Sequence, residues 1–502
     1  MTYIGKTVLT GVEARKESLK GVKFLSDCVT PTIGPFGTNG IMEKGLRITN
    51  DGISIAREVQ LENEHQDMGL RKAREAAAKA NDQAGDGSTT TITLIHAIAD
   101  ELDQKLGDGR TVGATTTAQL LKKLSQEKDE VIEKLQASAT PVTTLEELIH
   151  SAVVSVEDEE LGRMIGEAQW NLGPEGQILA EEVNERTVTI EPINGIRIDN
   201  GMGLTQAMNN FEKQSLELKD VPVILTTNTV TFDKWGDIKP IFDGLATQGV
   251  RNVVLVCRAI SDDVIPVIQA NAQQGFFISP INAPYVNQRE VMKDLEAVLG
   301  GRFVDSEDGG LDTIQHSDLG HIKTLSARRY DAIFAGESTE ESKARIEKRV
   351  ETLKEVLKGN PSDFDRKNIE GRIAQLTNGF ALAKVGAESE SERKRIFDKV
   401  EDAVNATRAA FQEGTVKGAG LAFKEIADNM PADSLLKKPL GSIYKQVMKN
   451  APADFKVEDW VRDPVKVLRI ALEHATTAAG QLATVTTSVH TKRKKSTDKD
   501  ED

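Results

Sequence analysis

Apolar residues recur at helical spacing through the first third of the chain. From Lys6 to Thr30 the pattern predicts one helix, with Val22, Leu25 and Val29 on a shared face. "TPTIGPFG" (30–37) stops it, because Pro31, Gly34, Pro35 and Gly37 make a rigid loop. "LRITNDGISIA" (46–56) predicts a strand, a tight Asp-Gly turn and the start of another element. Helices are expected over 66–84 and 88–106, the second carrying Ile95, Ile98, Leu102 and Leu106 at helical spacing. Another amphipathic helix is expected over 115–136.

The middle of the chain has a different period. "VPVILTTNTV" (221–230), "VRNVVLVCRAI" (250–260) and "GFFISPIN" (275–282) are short β-branched runs, separated by helix-length segments such as 237–247. Alternating β and α elements predict an α/β block with some parallel strands. Beyond residue 340 the chain is helical and highly charged, with Ile346, Val350, Leu353 and Leu357 on one stripe. "GFALAKVGA" (379–387) returns to strand, and helices resume to about residue 483. An α/β block is thus inserted between two mainly helical halves. Gly195 and Gly379 stand at its two junctions, each either a plain strand end or a pivot.

A chain of 502 residues exceeds what one core usually serves, so more than one domain is expected. Acids outnumber bases 78 to 63, a net charge of −15, which argues against a nucleic-acid partner. The first residues lack a secretory core and no apolar run approaches a membrane span. Cys28 and Cys257 are far apart and in no metal-ligand spacing, as in a reducing compartment. Together these predict a cytoplasmic protein with no nucleic-acid or membrane partner. The terminal "KRKKSTDKDED" reads as a solvated tail.

"NDQAGDGSTTT" (81–91) carries the most chemistry. Gly85 and Gly87 allow a sharp corner, and Ser88, Thr89 and Thr90 stand at the first turn of the next helix. Free N–H groups and the helix dipole there attract an anion. Serine and threonine also serve as plain N-caps, so both readings stay open locally. Asp86 shapes the anion reading: a carboxylate about 4 Å from a phosphate charge costs about 4 kcal/mol at an effective dielectric near 20. An intervening cation removes that cost, and Mg2+ is usually held by one or two carboxylates plus phosphate oxygens. In "VEDAVNATRAA" (400–410), Asp402 points away from the apolar stripe of Val400, Val404, Thr407 and Phe411, which predicts a solvated acid. "EGTVKGAG" (413–420) adds another glycine-rich turn. There is no Ser-His-Asp order, His/Cys metal cluster or conventional P-loop.

In this order, "TIGPFG", "TNDGISIAREVQLE", "MGLRKAREAAAKANDQAGDGSTTT", "SDFDRKNIEGRIAQL", "VEDAVNATRAAFQEG" and "DPVKVLRIALEHATTAAG" resemble the group I, GroEL-like chaperonins. The resemblance implies a multidomain α and α/β fold. A mainly helical equatorial ATPase domain would come from both chain ends (1–136 and 413–502). A small α/β intermediate hinge domain (137–194 and 380–412) would carry an inserted α/β apical domain (195–379). It implies heptameric rings of identical subunits that enclose non-native polypeptides, a co-chaperonin lid, and ATP and Mg2+ as cofactors, with K+ a further candidate ion. Carried over by position, Thr32, Ile33, Gly34, Pro35, Gly418, Ala419 and Gly420 would hold nucleotide, and Asp463 would contact the ribose. Asp86 would bind Mg2+, and Gly87, Ser88, Thr89 and Thr90 would contact phosphates. Asp51, beside the terminal phosphate, and Asp402, orienting the attacking water, would be catalytic. Pro141, Gly195, Gly379 and Gly414 match hinge positions. Met202, Leu204, Phe242 and Ile265 match polypeptide-binding positions.

Several positions depart from the family pattern. Asn50 replaces a usual lysine, Ala419 interrupts a run of three glycines, and "DFKVEDW" (454–460) stands where a base-contacting segment is expected. The 421–463 stretch is short, which predicts a weakened or absent double ring. Lys239 and Gln269 enter the apical groove and narrow its apolar character. Such drift fits a phage-encoded or otherwise divergent bacterial member. Two other classes remain: a non-hydrolysing scaffold on the same fold, and an unrelated Mg2+-dependent kinase or ligase. The acids Asp51, Asp86 and Asp402 disfavour the scaffold, which has no need of them.

Overall fold

The computed structural model describes residues 6–43, 47–107, 111–112, 115–174, 176–211, 214–307, 309–359 and 362–491. The charged tail from residue 492 lies outside them. The chain forms two compact units, one from residues up to 170 with 180–189 and 384 onward, the other from 171–179 and 190–383.

The first unit is built from helices Gly11–Val29, Glu64–Ala84, Ser88–Leu106, Thr117–Ala137 and Val465–Ala483. Their apolar stripes share one core, in which Val22, Leu25, Val29, Ile95, Ile98, Leu102 and Leu472 are buried. The expected Lys6–Thr30 helix begins only at Gly11. Lys6–Thr10 is instead a strand, paired antiparallel with Thr487–Thr491 from Lys6↔Thr491 to Thr10↔Thr487. Strand formation here depends on a partner at the other end of the chain, which helical periodicity cannot register. The expected Asp-Gly tight turn is also absent. Asp51 caps helix Gly52–Glu58, its carboxylate accepting from the N–H groups of Ile53 (3.2 Å) and Ser54 (3.1 Å).

The second unit holds a seven-stranded sheet in the order Phe277–Asn282, Asn252–Cys257, Leu216–Thr226, Gly320–Ala327, Ala332–Ala335, Gly195–Ile198, with Phe303–Val304 also paired to Leu216–Thr226. The first three strands are parallel, as is Phe303–Val304 to Leu216–Thr226, and the remaining pairings of the sheet are antiparallel. Side chains alternate across the sheet. Val254 and Val256 enter one core, while Val253, Leu255 and Cys257 enter the other. Helix Glu340–Lys358 buries Ile346, Val350 and Leu353, with Leu357 partly buried against the same core. Beside it Asp294, fully buried, bonds Arg349 at 2.7 Å and Arg372 at 2.5 Å. Among the described residues, no helix is long and apolar enough to cross a membrane.

Candidate functional site

Helix Glu64–Ala84 ends at Gly85 (φ 79°), and helix Ser88–Leu106 begins after Gly87 (φ 90°). Both conformations lie where L side chains are strained. Neither position has room for a side chain. A Cβ on Gly85 would stand 2.2 Å from the side chain of Asn405, and one on Gly87 would stand 2.8 Å from Val467. The N-cap is Gly87, with no side-chain cap bond, so Ser88, Thr89 and Thr90 occupy the first three helical positions. Their role as plain N-caps is therefore not realised. Thr91 and Thr93 bond back to the carbonyls of Gly87 and Thr89 at 2.8 Å each, but Ser88, Thr89 and Thr90 donate no such side-chain bond among the described residues.

Three more segments of the first unit converge here. The start of helix Gly52–Glu58 abuts the corner: a Cβ on Gly52 would lie 1.9 Å from Thr89 Oγ1, which sets Asp51 next to it. Helix Glu390–Glu413 docks through Asn405, whose Nδ2 donates to the Gly85 carbonyl at 3.2 Å. Asp402 is three residues earlier on the same face, so that bond turns it toward the corner. Asp463 lies on strand Arg462–Pro464, paired with Thr415–Lys417, and its carboxylate accepts from the N–H groups of Ala419 and Gly420.

The charges report the same convergence. Burial lifts the Asp86 carboxyl above the usual range and the Asp51 charge adds to it, while a bond from Gly87 N–H works the other way. Burial, then Asp86 and Asp51, push Asp402 well above the usual range. Asp463 is pushed up to about 7, by burial first and the Asp86 charge second, against the two N–H groups it accepts from. Asp402 is half-buried rather than freely solvated, because its neighbours come from other helices.

Such a set fits a hard cation bound together with phosphate. Its donors are carboxylate oxygens that repel one another, and free N–H groups lie beside them. Among the described residues no three His, Cys, Asp or Glu side chains could hold a metal by themselves. Mg2+ at Asp86 would therefore take its remaining ligands from phosphate and water.

Helix Lys437–Asn450 positions two further loops. A Cβ on Gly34 (φ 81°) would meet Val447 at 3.3 Å, and one on Gly420 would stand 2.7 Å from the Tyr444 nitrogen. Asn450 Nδ2 donates toward the carbonyls of Thr30 (3.0 Å), Pro31 (3.4 Å) and Ile33 (3.0 Å), so one amide fixes the Thr32–Pro35 turn. Thr32 is buried and bonds the Val29 carbonyl at 2.8 Å. Ala419 adopts φ 55°, a left-handed conformation that costs a non-glycine residue about 1 kcal/mol. The residue that stands where the resemblance leads one to expect glycine has a glycine-like backbone. In "DFKVEDW", Phe455 packs edge-on against Phe36 with ring centroids 5.0 Å apart. Asn405 and Asn450 were not singled out by sequence. Asn405 was within reach, being three residues from Asp402.

The four expected hinge positions lie in two pairs. Thr140 and Thr415 exchange backbone bonds of 2.8 and 2.9 Å, which sets Pro141 beside Gly414 (φ 75°). Gly195 leaves no room against Phe380, 2.4 Å from its would-be Cβ, next to Gly379 (φ 63°). Two expected polypeptide-binding residues are core residues in this conformation. Met202 bridges Ile281, and Phe242 packs on Trp235 and Phe276. Leu204 and Ile265 are half-exposed, and Lys239 is exposed beside Asp243.

Residues 25–435 match the TCP-1/cpn60 chaperonin family. The fold is similar to the chaperonin gp146 from bacteriophage EL 2 (Pseudomonas aeruginosa), crystallised in the presence of ATP-BeFx. Crystal form II superposes with a TM-score of 0.65 at 19% identity, covering 97% of this chain and 99% of that one. Crystal form I gives 0.60 at the same identity and coverage.

Proposed function

Because the chain belongs to the TCP-1/cpn60 chaperonin family, we propose that it is an ATP-hydrolysing chaperonin whose subunits form rings and promote the folding of non-native polypeptides. The observation that carries this reading is the convergence of Asp51, Asp86 and Asp402 on the glycine corner at 85–87. A family scaffold without hydrolysis has no use for three acids held together against their mutual repulsion. Magnesium at this site would neutralise the phosphates and orient them.

The chain's own residues supply the rest. Asp86 offers the carboxylate, and Ser88, Thr89 and Thr90 offer N–H groups and hydroxyls to phosphate oxygens. Asp402, on the Glu390–Glu413 helix, holds the attacking water and receives its proton. Its raised proton affinity suits that task. Phosphoryl transfer draws most of its rate from such positioning and charge stabilisation.

We assign the three-domain division to the same reading, with the sheet of the second unit as the apical, polypeptide-binding part. Rotation about the Pro141/Gly414 and Gly195/Gly379 pairs would couple hydrolysis to exposure of apolar surface. Burial of Met202 and Phe242 is consistent with a conformation that withholds them from clients. Heptameric rings and a co-chaperonin lid belong to this proposal as well.

Steady-state phosphate release and nucleotide binding test it. Asp402→Ala should retain Mg-ATP binding and lose turnover by about a hundredfold or more. Asp86→Ala should lose both. Wild-type protein that binds ATP without releasing phosphate would favour the scaffold. Particle images showing only monomers with and without ATP would remove the ring.

A further inference from the structure

The corner acids account for the phosphate end of a nucleotide and leave its nucleobase without a partner. The order of the groups gives the direction in which that base lies. Asp86 marks the corner, and its charge acts on Asp463. Asp463 Oδ1 stands 3.0 Å from where a Cβ on Gly418 would be, and Val461 presses on the same glycine at 2.9 Å. With phosphates at the corner and the sugar at Asp463, the base falls beyond Asp463, where residues 451–461 close the site.

That segment is pinned at both ends to the nucleotide loops. At its start, Asn450 donates to the carbonyls of Thr30 and Ile33, at 3.0 Å each. At its end, the Val461 carbonyl accepts from Gly418 N–H at 2.9 Å. Between them Phe455 lies against Phe36, the residue after Pro35, with ring planes at 78°. The segment thus bridges the Thr32–Pro35 turn and the 418–420 turn.

The bridge offers rings rather than polar groups. Asn450 Oδ1 accepts from Gln446 at 2.9 Å while its Nδ2 holds the turn, and Trp460 Nε1 donates to Glu458. Asp454, Lys456 and Asp459 are exposed, where water competes for their hydrogen bonds. Beside Pro35 stands the ring pair, with Phe36 41% exposed and Phe455 half-buried. Every nucleobase has a π-face, so an aromatic contact holds a base without reading its edge. Telling adenine from guanine needs a hydrogen bond that one base makes and the other cannot. A site built on such a bond discriminates by orders of magnitude, and an apolar wall does not.

We propose that Phe36 and Phe455 form the nucleobase wall and hold the base by its face, so that the site takes nucleoside triphosphates with little choice between adenine and guanine. GTP is then a substrate alongside ATP. Phe455, which belongs to the bridge itself, sets this breadth. The inference rests on the nucleotide reading of the site and replaces a strict requirement for ATP.

Equilibrium binding of Mg-ATP, Mg-GTP and Mg-tripolyphosphate, which has no base, to the full chain tests it. ATP and GTP should bind within about tenfold of each other. Phe455→Ala should weaken both by about tenfold, within the range for one base–aromatic contact, and leave tripolyphosphate within about twofold. Phe455→Trp keeps an aromatic face and should retain both affinities. A wider gap between ATP and GTP in the wild type would overturn the assignment. So would a loss on Phe455→Ala that tripolyphosphate shares, because Phe455 would then only keep the Thr32–Pro35 turn in shape. No loss on Phe455→Ala would overturn it too. Wild-type protein that binds neither nucleotide would instead remove the nucleotide reading beneath it.

Discussion

Asp463 gives the sharpest physical test of the site, because it needs no ligand. Its carboxyl ordinarily titrates near 3.8, and here it is pushed up to about 7. Between those values the folded protein holds a proton that the unfolded chain has released. Unfolding therefore frees a proton, and raising the pH favours the unfolded state. The contribution of the neutral carboxyl is fully present below about pH 4, declines through neutrality and is gone above about pH 7. A displacement of about three pH units corresponds to about 4 kcal/mol. Asparagine mimics the neutral carboxyl in shape and charge, so Asp463→Asn should not share this dependence.

The assay is urea unfolding of wild-type and Asp463→Asn protein from pH 4.5 to 8.5 without nucleotide. Any fixed cost of the substitution, such as poorer acceptance from the N–H groups of Ala419 and Gly420, offsets the variant equally at every pH. Titrations of groups that do not interact with Asp463 cancel in the difference. The stability of the variant relative to wild type should rise with pH by up to about 4 kcal/mol, mostly between pH 5 and 7. A difference that stays flat, or falls with pH, would refute the claim that this half-buried acid is desolvated beside the Asp86 charge.

Other perturbations have equally definite outcomes. Asp294→Ala leaves the guanidinium groups of Arg349 and Arg372 without their buried carboxylate and should destabilise the second unit by about 3–5 kcal/mol in urea unfolding. Gly414→Ala places a Cβ 2.7 Å from the Thr140 carbonyl at φ 75° and should cost about 1–3 kcal/mol, read by thermal unfolding. Asn450→Ala should weaken nucleotide binding by about tenfold or less as the Thr32–Pro35 turn loosens. Asn450→Asp should be worse, because a carboxylate would face three carbonyl oxygens; equilibrium nucleotide titration separates the two.

The parts of this fold that were legible in sequence are those whose cause is local. The Ile95–Leu106 stripe, the β-branched runs of the second unit and the helix end at 483 each follow from a period that one segment carries alone. Lys6–Thr10 was misread because its strand exists only with Thr487–Thr491 beside it. Asp51 was read as a turn because Asp-Gly suits a hairpin and a helix start alike, and only the following helix decides. Asp402 failed for a deeper reason: a helical wheel sorts residues by their own helix's apolar face and treats the opposite face as water. Here that face meets the 85–90 corner, from a segment more than three hundred residues earlier, so its polar residues face protein rather than water. The family resemblance supplied what the wheel could not. The glycines provide an independent physical check: Gly52, Gly85 and Gly87 each lack room for a methyl group, and in each case the obstruction comes from another segment that bears on the site. By that measure Ala419 is the informative exception. Its backbone retains the left-handed conformation while its side chain does not belong there, so the loop's shape has been kept at the expense of about 1 kcal/mol of strain.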